Sequence, residues 1–213
     1  LCATDIFEAL QRMDPDSSRG VDGWRLPERK ALPPEFHQRI ADMLNVIELC
    51  GRWPPCLTMA LITMIPKGDG LQPLDLRPIS VAPIMYRIWS SARVRGVLSW
   101  QEQWISESLL GFRHGHGCED AYWKLGLAVE KALASGNPLC GLSIDFAKAF
   151  DTVPLDFVLN LGEMMGIPEH VLRALSGAYG QFQRHFKISN FVGEGFASSN
   201  GIRQGCPMSV VML

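Results

Sequence analysis

An α+β fold is predicted by three observations. Apolar residues make up 47% of the 213-residue chain and charged residues 20%, the balance of a globular protein and not of a disordered or collagen-like one. Several long segments repeat their apolar residues at helical spacing. Between them lie short extended runs bounded by Gly and Pro. A chain of this length buries a sizeable core.

The elements follow in order along the chain. Thr4 to Met13 reads as a short helix, and Asp14 to Arg29 as a loop. Pro33-Pro34 open a helix whose Phe36, Ile40, Met43, Leu44 and Ile47 share one face, and Gly51 closes it. Leu57 to Ile65 is a buried strand candidate, ended by the turn Pro66-Lys67-Gly68-Asp69-Gly70. Arg77 to Val81 is extended, and Pro83 starts a helix reaching Trp100. Gly111 to Gly117 is a loop. Glu119 to Ala134 is helical, with Ala121, Leu125, Ala128 and Ala132 on one stripe. Leu139 to Phe146 is predicted as a strand, with Leu142, Ile144 and Phe146 facing a core and Asp145 on the open face. Two helices, 155–165 and 168–181, follow Pro154. Arg184 to Ser189 and Gly195 to Ile202 then form a hairpin turned at Gly193-Glu194-Gly195.

Charge and cysteine content narrow the function. The net charge of −2 gives the whole molecule no pull on a polyanion. Between Asp75 and Glu102, however, Arg77, Arg87, Arg93 and Arg95 occur without an acid. Such a stripe fits either phosphate binding or a solvated helix face. Six cysteines without a Cys-x-x-Cys pair suggest reduced, intracellular thiols. The longest charge-free apolar run, Cys56 to Pro66, is too short to cross a bilayer, and no secretory leader is recognisable. A chain that begins at Leu1 and stops in the apolar run Val210-Val211-Met212-Leu213 is expected to be a piece of a longer protein.

Four constellations could carry chemistry. In Ser143 to Val153, the Asp145 carboxylate at a strand end suits a hard cation, since Mg²⁺ takes one or two protein carboxylates plus phosphate oxygens; a lone Asp there could equally cap a turn. In Gly201-Ile202-Arg203-Gln204-Gly205-Cys206-Pro207, Gly205 admits a close ligand and Gln204 both donates and accepts. Ile65-Pro66-Lys67 and Arg77-Pro78-Ile79-Ser80 offer a point charge and a planar fork for phosphate, or two ordinary surface cations. His114-Gly115-His116-Gly117-Cys118 has zinc-ligand types but no clear companion pair, and a backbone- or phosphate-contacting loop is the preferred reading.

Taken in this order, the segments resemble the reverse transcriptase domain of non-LTR retrotransposons (LINE-type) and their group II intron relatives. Ser18-Arg19-Gly20-Val21-Asp22-Gly23 looks like the family's early "PGPDG" loop. Pro66-Lys67 and Arg77-Pro78-Ile79-Ser80 look like its two fingers motifs, and Gly111-Phe112-Arg113 through Asp120-Ala121 like its "GFRxGRST-DA" segment. Asp145 to Val153 resembles "DFSKAFDTV", and Gly201 to Ser209 resembles "GVRQGCPLS". Three departures stand out: Ser18-Arg19 replaces a small-Pro pair, His114-Gly115-His116 replaces Pro-x-Arg, and the Pro of "Pro-Leu-Ser-Pro" is missing after Ser209.

The resemblance implies a right-hand polymerase, with fingers over residues 1–138 and the start of the palm over 139–213, the thumb being absent. It implies an intracellular, nuclear setting and an RNA template, a DNA primer and dNTPs as partners, with two Mg²⁺ ions in the complete enzyme. By resemblance Asp145 is the catalytic metal-binding carboxylate and the Phe146 carbonyl a second metal contact. Lys67 and Arg77 meet the triphosphate, Gln204 and Gly205 the nucleotide and template, and Phe150 excludes the 2′-hydroxyl. Asp151, one residue beyond that gate, is expected to point away and pair with Lys or Arg. The family's Tyr-x-Asp-Asp hairpin is expected after Leu213, so the isolated chain should not extend a primer. An RNA-binding remnant or maturase-like scaffold is the alternative. A chance likeness in a helical binding domain would leave Lys67, Arg77, Asp145 and Gln204 scattered.

Overall fold

Helices and one mixed four-stranded sheet build the chain in a computed structural model that describes residues 1–69, 72, 75–198 and 200–213. Gly70, in the predicted turn, and Ser199, in the predicted second hairpin strand, lie outside the described residues. The helical core comes from α1 (Ala3–Arg12), α3 (Pro34–Cys50), α4 (Ile84–Gln101) and α8 (Glu169–Gln181). A short α2 (Leu26–Lys30) lies in the loop after α1. Ile6 and Leu10 of α1, Ile40, Leu44 and Ile47 of α3, Ile88 and Trp89 of α4, and Leu175 of α8 form one buried cluster. α1 (Ile6, Leu10), α3 (Ile40, Leu44, Ile47) and α8 (Val171, Ala174, Ala178) each turn one stripe inward at three- or four-residue spacing, while α4 is buried on several sides between Ile84 and Ser91. Phe36, predicted on that face of α3, is exposed, and His37 is buried beside Phe7 instead.

Two close approaches lock α3 to α8. Gly51 ends α3 in a left-handed conformation, and its carbonyl oxygen accepts from Gln181 Nε2 at 3.1 Å. A methyl group on Gly177 would sit 1.8 Å from that same oxygen. Gly177→Ala should therefore force α8 away from α3 and cost roughly 1–3 kcal/mol, the usual penalty of overpacking. Urea unfolding checks this, and a loss under 0.5 kcal/mol would contradict the packing described.

The sheet order is β2-β1-β3-β4, from β1 (Met59–Pro66), β2 (Leu76–Val81), β3 (Gln183–Ile188) and β4 (Phe191–Phe196). β1 pairs antiparallel with β2 and parallel with β3. Its first half is buried, while its second half runs outward with β2 as a ribbon. The predicted hairpin forms, but it turns at Ser189-Asn190, since Ile188 pairs with Phe191. The glycines that suggested a turn serve a bulge: Gly193 and Glu194 together oppose Phe186, and His185 Nδ1–H donates to the Gly193 carbonyl at 3.0 Å.

Two predicted elements differ in character. Leu139–Phe146 joins no sheet among the described residues. Leu142, Ile144 and Phe146 are 86%, 70% and 78% exposed. The alternation that predicted a core-facing strand is real, but a strand is stable only when a neighbour takes up its backbone groups. α5 (Cys118–Ser135) forms where expected, yet none of its residues is buried, and Tyr122, Trp123, Leu125 and Leu133 face outward.

Candidate nucleotide-binding cleft

The β1–β2 ribbon sets the first wall of a cleft. Arg77 pairs opposite Ile65, so the two side chains share a face. Lys67, two residues past Ile65, continues on that face, and its N–H donates to the Asp75 carbonyl at 2.9 Å. Lys67 and Arg77 are thus neighbours across the ribbon although they are ten residues apart in sequence.

The second wall comes from α6 (Ala149–Thr152). Lys148 precedes it with φ +52°, an uncommon conformation for a lysine, and this bend directs the chain into the helix. Phe150 is half-buried against the core. Its carbonyl accepts from Ile202 N at 2.7 Å, and the Val153 carbonyl accepts from Gly201 N at 3.0 Å.

The loop 201–208 bridges the two walls. On its far side the Gln204 carbonyl accepts from Ser80 N at 2.9 Å, capping the open edge of β2. Gly205 has φ +100°, and a Cβ there would lie 3.0 Å from the Ser80 carbonyl, so both the conformation and the space call for glycine. Gly205 therefore presses on β2 and acts through backbone placement.

Lys67, Arg77, Phe150 and Gln204, together with Lys148 and Asp151, line one cavity of about 450 Å³. Asp145 and Phe146 are not among its lining residues. The Asp145 side chain is exposed, with no ion pair or hydrogen bond among the described residues. Asp151, expected to point away and pair, instead lines the cavity, with no ion pair among the described residues. Successive residues on a helix differ by about 100°, not the 180° of a strand, so one step along α6 leaves both Phe150 and Asp151 on the cleft. Lys148 was assigned no role from its motif, and it reaches the cavity through the bend at its own backbone.

The arginine stripe resolves into separate duties. Only Arg77 reaches the cleft. Arg87 donates to the Ser18 carbonyl at 2.8 Å and Ser17 Oγ at 2.6 Å, and burial lowers its pKa against the opposing pull of Asp22. Arg93 pairs with Glu48 and Arg95 with Glu8. Arg113, in the Gly-Phe-Arg segment, donates to both Glu102 oxygens and to the Ser106 and Leu109 carbonyls. Its hydrogen bonds hold the Glu102 carboxyl below its ordinary value and staple the loop between them.

A second cavity of about 590 Å³ lies over another part of the same ribbon. Leu61, Thr63 and Val81 form its floor, with Arg19, Arg25 and Lys187 around it and one carboxylate, Asp16. Asp22 Oδ2 accepts from Ile84 N at 2.6 Å and, with Arg87, fixes the Ser17–Gly23 loop that carries Arg19.

Among the described residues no three His, Cys, Asp or Glu side chains gather closely enough to hold a metal ion, and no helix is long and apolar enough to cross a membrane. All six cysteines are free.

A cavity with Lys67 and Arg77 on one wall and the Phe150 ring on the other has the chemistry to take a ligand that carries both phosphate and an apolar face. The chain belongs to the reverse transcriptase (RNA-dependent DNA polymerase) family, whose model matches residues 65–213. It is 24% identical over 205 residues to the retrovirus-related Pol polyprotein from type-2 retrotransposable element R2DM of Drosophila melanogaster, covering 94% of this chain and 19% of that protein. It is 25% identical over 213 residues to the transposon TX1 uncharacterized 149 kDa protein of Xenopus laevis, covering 96% and 16%. A probable RNA-directed DNA polymerase from transposon BS of D. melanogaster is 26% identical over 161 residues, covering 73% and 18%. The chain thus spans less than a fifth of the length of these relatives, and it is similar to reverse transcriptases of non-LTR retrotransposons.

Proposed function

We propose that the chain is the nucleotide-binding part of a retroelement RNA-directed DNA polymerase, with fingers over 1–138 and the beginning of the palm over 139–213. One observation carries this reading: Lys67 and Arg77 share a cavity with Phe150 and Gln204. The cations neutralise a triphosphate, Arg77 as a fork and Lys67 as a point charge. Phe150 lies beneath the sugar and leaves no room for a 2′-hydroxyl. Gln204 meets the nucleotide, and Gly205 sets its distance from β2. In the reaction a primer 3′-hydroxyl oxygen bonds to the α-phosphorus as its proton passes to solvent, and the bond to the leaving pyrophosphate breaks.

Asp145, a single exposed carboxylate outside the lining of that cavity, would hold at most one Mg²⁺ that keeps most of its water. The described donor set does not fit a pair of ions. Bound Mg²⁺ would supply charge neutralisation on phosphate oxygens. The Phe146 carbonyl is the second proposed contact.

The cationic second cavity supports an RNA template as partner, since backbone phosphates are met by local Lys and Arg whatever the net charge. It is equally the observation that favours a non-catalytic RNA-binding scaffold. Titration with Mg·dTTP separates the two readings. The enzyme reading expects saturable binding that Arg77→Ala weakens roughly 10- to 100-fold, the worth of a charge-assisted hydrogen bond. RNA binding without triphosphate binding, or an affinity that ignores Arg77, would favour the scaffold.

A further inference from the structure

Arg203 is 2% exposed, and no carboxylate pairs with it among the described residues. Its guanidinium lies 3.9 Å from the ring centre of Phe182, 4.2 Å from that of Tyr179 and 5.3 Å from that of Tyr86. Nη2 donates to the Ala178 carbonyl at 3.2 Å, while Nε and Nη1 have no hydrogen-bond partner among the described residues. A buried cation without a counter-ion is costly, and an apolar residue of similar volume would cost less. Core filling therefore does not explain an arginine here.

Direction does. The flat guanidinium is held by ring faces, and its single carbonyl acceptor lies on α8. The backbone of the same residue is clamped as well: Arg203 N donates to Tyr179 Oη at 3.0 Å, and the Arg203 carbonyl accepts from Ser209 Oγ at 2.7 Å. The residues on either side then hold the cleft. Ile202 N reaches the Phe150 carbonyl, and the Gln204 carbonyl receives Ser80 N. Arg203 is thus the point at which both cleft walls are tied to the helical core.

We propose that Arg203 is a positioning residue: anchored in the Tyr86–Tyr179–Phe182 cage, it fixes the separation between Phe150 and the β2 wall and so sets the fit of a nucleoside triphosphate. The inference rests on the nucleotide-binding reading above for its ligand, but not for its mechanical part. Neither a lysine, which keeps the charge, nor a methionine, which keeps the bulk, reproduces a planar group seated on three rings.

The test uses the 213-residue chain with Arg203→Met and Arg203→Lys. Amide hydrogen exchange is followed at Ser80 and Ile202, with Leu61 inside the sheet as reference, and Mg·dTTP and Mg·UTP binding are titrated in parallel. In both variants exchange at Ser80 and Ile202 should accelerate about tenfold or more while Leu61 is unchanged, and the preference for dTTP over UTP should narrow. Wild-type protection at Ser80 and Ile202 in Arg203→Met would overturn the proposal, leaving Arg203 as core filler. Should neither variant fold, Phe182→Leu removes one ring and keeps the arginine; the same loosening supports the anchor, and none overturns it. Loosening in a chain whose parent binds no triphosphate supports the anchor and removes the nucleotide reading.

Discussion

Phe150→Val is expected to erase most of the chain's preference for dTTP over ribothymidine triphosphate. The ring belongs to α6, is held half-buried by the core, and shares its cavity with Lys67, Arg77 and Gln204. Its backbone is fixed independently, because its carbonyl accepts from Ile202 N. Truncating the side chain should therefore open space beneath the sugar without moving the wall. Discrimination by shape in an apolar pocket is worth roughly 1–3 kcal/mol, or about 10- to 200-fold, and a loss near that size is expected. Competition binding on the chain measures it, and in a polymerase-active longer protein the same change should raise ribonucleotide incorporation. Unaltered discrimination would remove Phe150 as the gate. Asp151 beside it offers a control: on the same cavity but without a ring, Asp151→Asn should leave the sugar preference in place.

Glu48→Ala carries the largest expected loss of stability. The Glu48 side chain is 5% exposed. It accepts from Trp89 Nε1 at 2.7 Å and Arg93 Nε at 2.6 Å, and His170 approaches at 3.9 Å from α8. One carboxylate on α3 thereby ties together α4 and α8. Removing it strands a buried indole N–H and a mostly buried guanidinium. Breaking a buried pair from one side costs about 3–5 kcal/mol, and the partial exposure of Arg93 places this case near 3 kcal/mol. For a chain of this size, that corresponds to a fall in melting temperature of roughly 6–12 °C. Glu48→Gln, which still accepts from Trp89, should lose less. A melting temperature within 2 °C of the parent for Glu48→Ala would show that the network does not hold the helices together.

Much of the fold was legible because it rests on local rules. Pro34 and Gly51 bound α3 as their backbone preferences require, and helical spacing located α4, α5, α7 (Leu155–Met164) and α8. What failed was local reading of non-local facts. The alternation in Leu139–Phe146 says that one face wants burial, not that a partner strand is at hand. Gly193-Glu194-Gly195 has turn composition, but the register that turns the chain at Ser189-Asn190 is set by pairing across the sheet. Arg87, Arg93 and Arg95 look like a phosphate stripe in sequence, whereas their acceptors lie on α1, α3 and the Ser17–Ser18 loop, far away in the chain.

The cleft divides in the same way. Lys67, Arg77, Phe150 and Gln204 were singled out by motif, and the fold gathers them. Asp145, singled out with them, stands outside the cavity on an unpaired segment, since its place depends on strand pairing. Lys148 and Asp151 lie on the cavity because of a left-handed turn and a helical step, neither of which residue type alone announces. Arg203 was given no role by its motif, and its aromatic cage draws on α4, α8 and the residue leading into β3.

A nucleoside triphosphate is expected to seat in the cavity of Lys67, Arg77, Phe150 and Gln204. Amide hydrogen exchange of the 213-residue chain, with and without saturating Mg·dTTP, tests this most directly. Added protection is expected at Met64 to Lys67, Leu76 to Ser80, Lys148 to Asp151 and Gln204, with the Arg19–Arg25 side of the ribbon unchanged. Protection centred on the Arg19–Arg25 cavity, or none anywhere at saturating nucleotide, would contradict this.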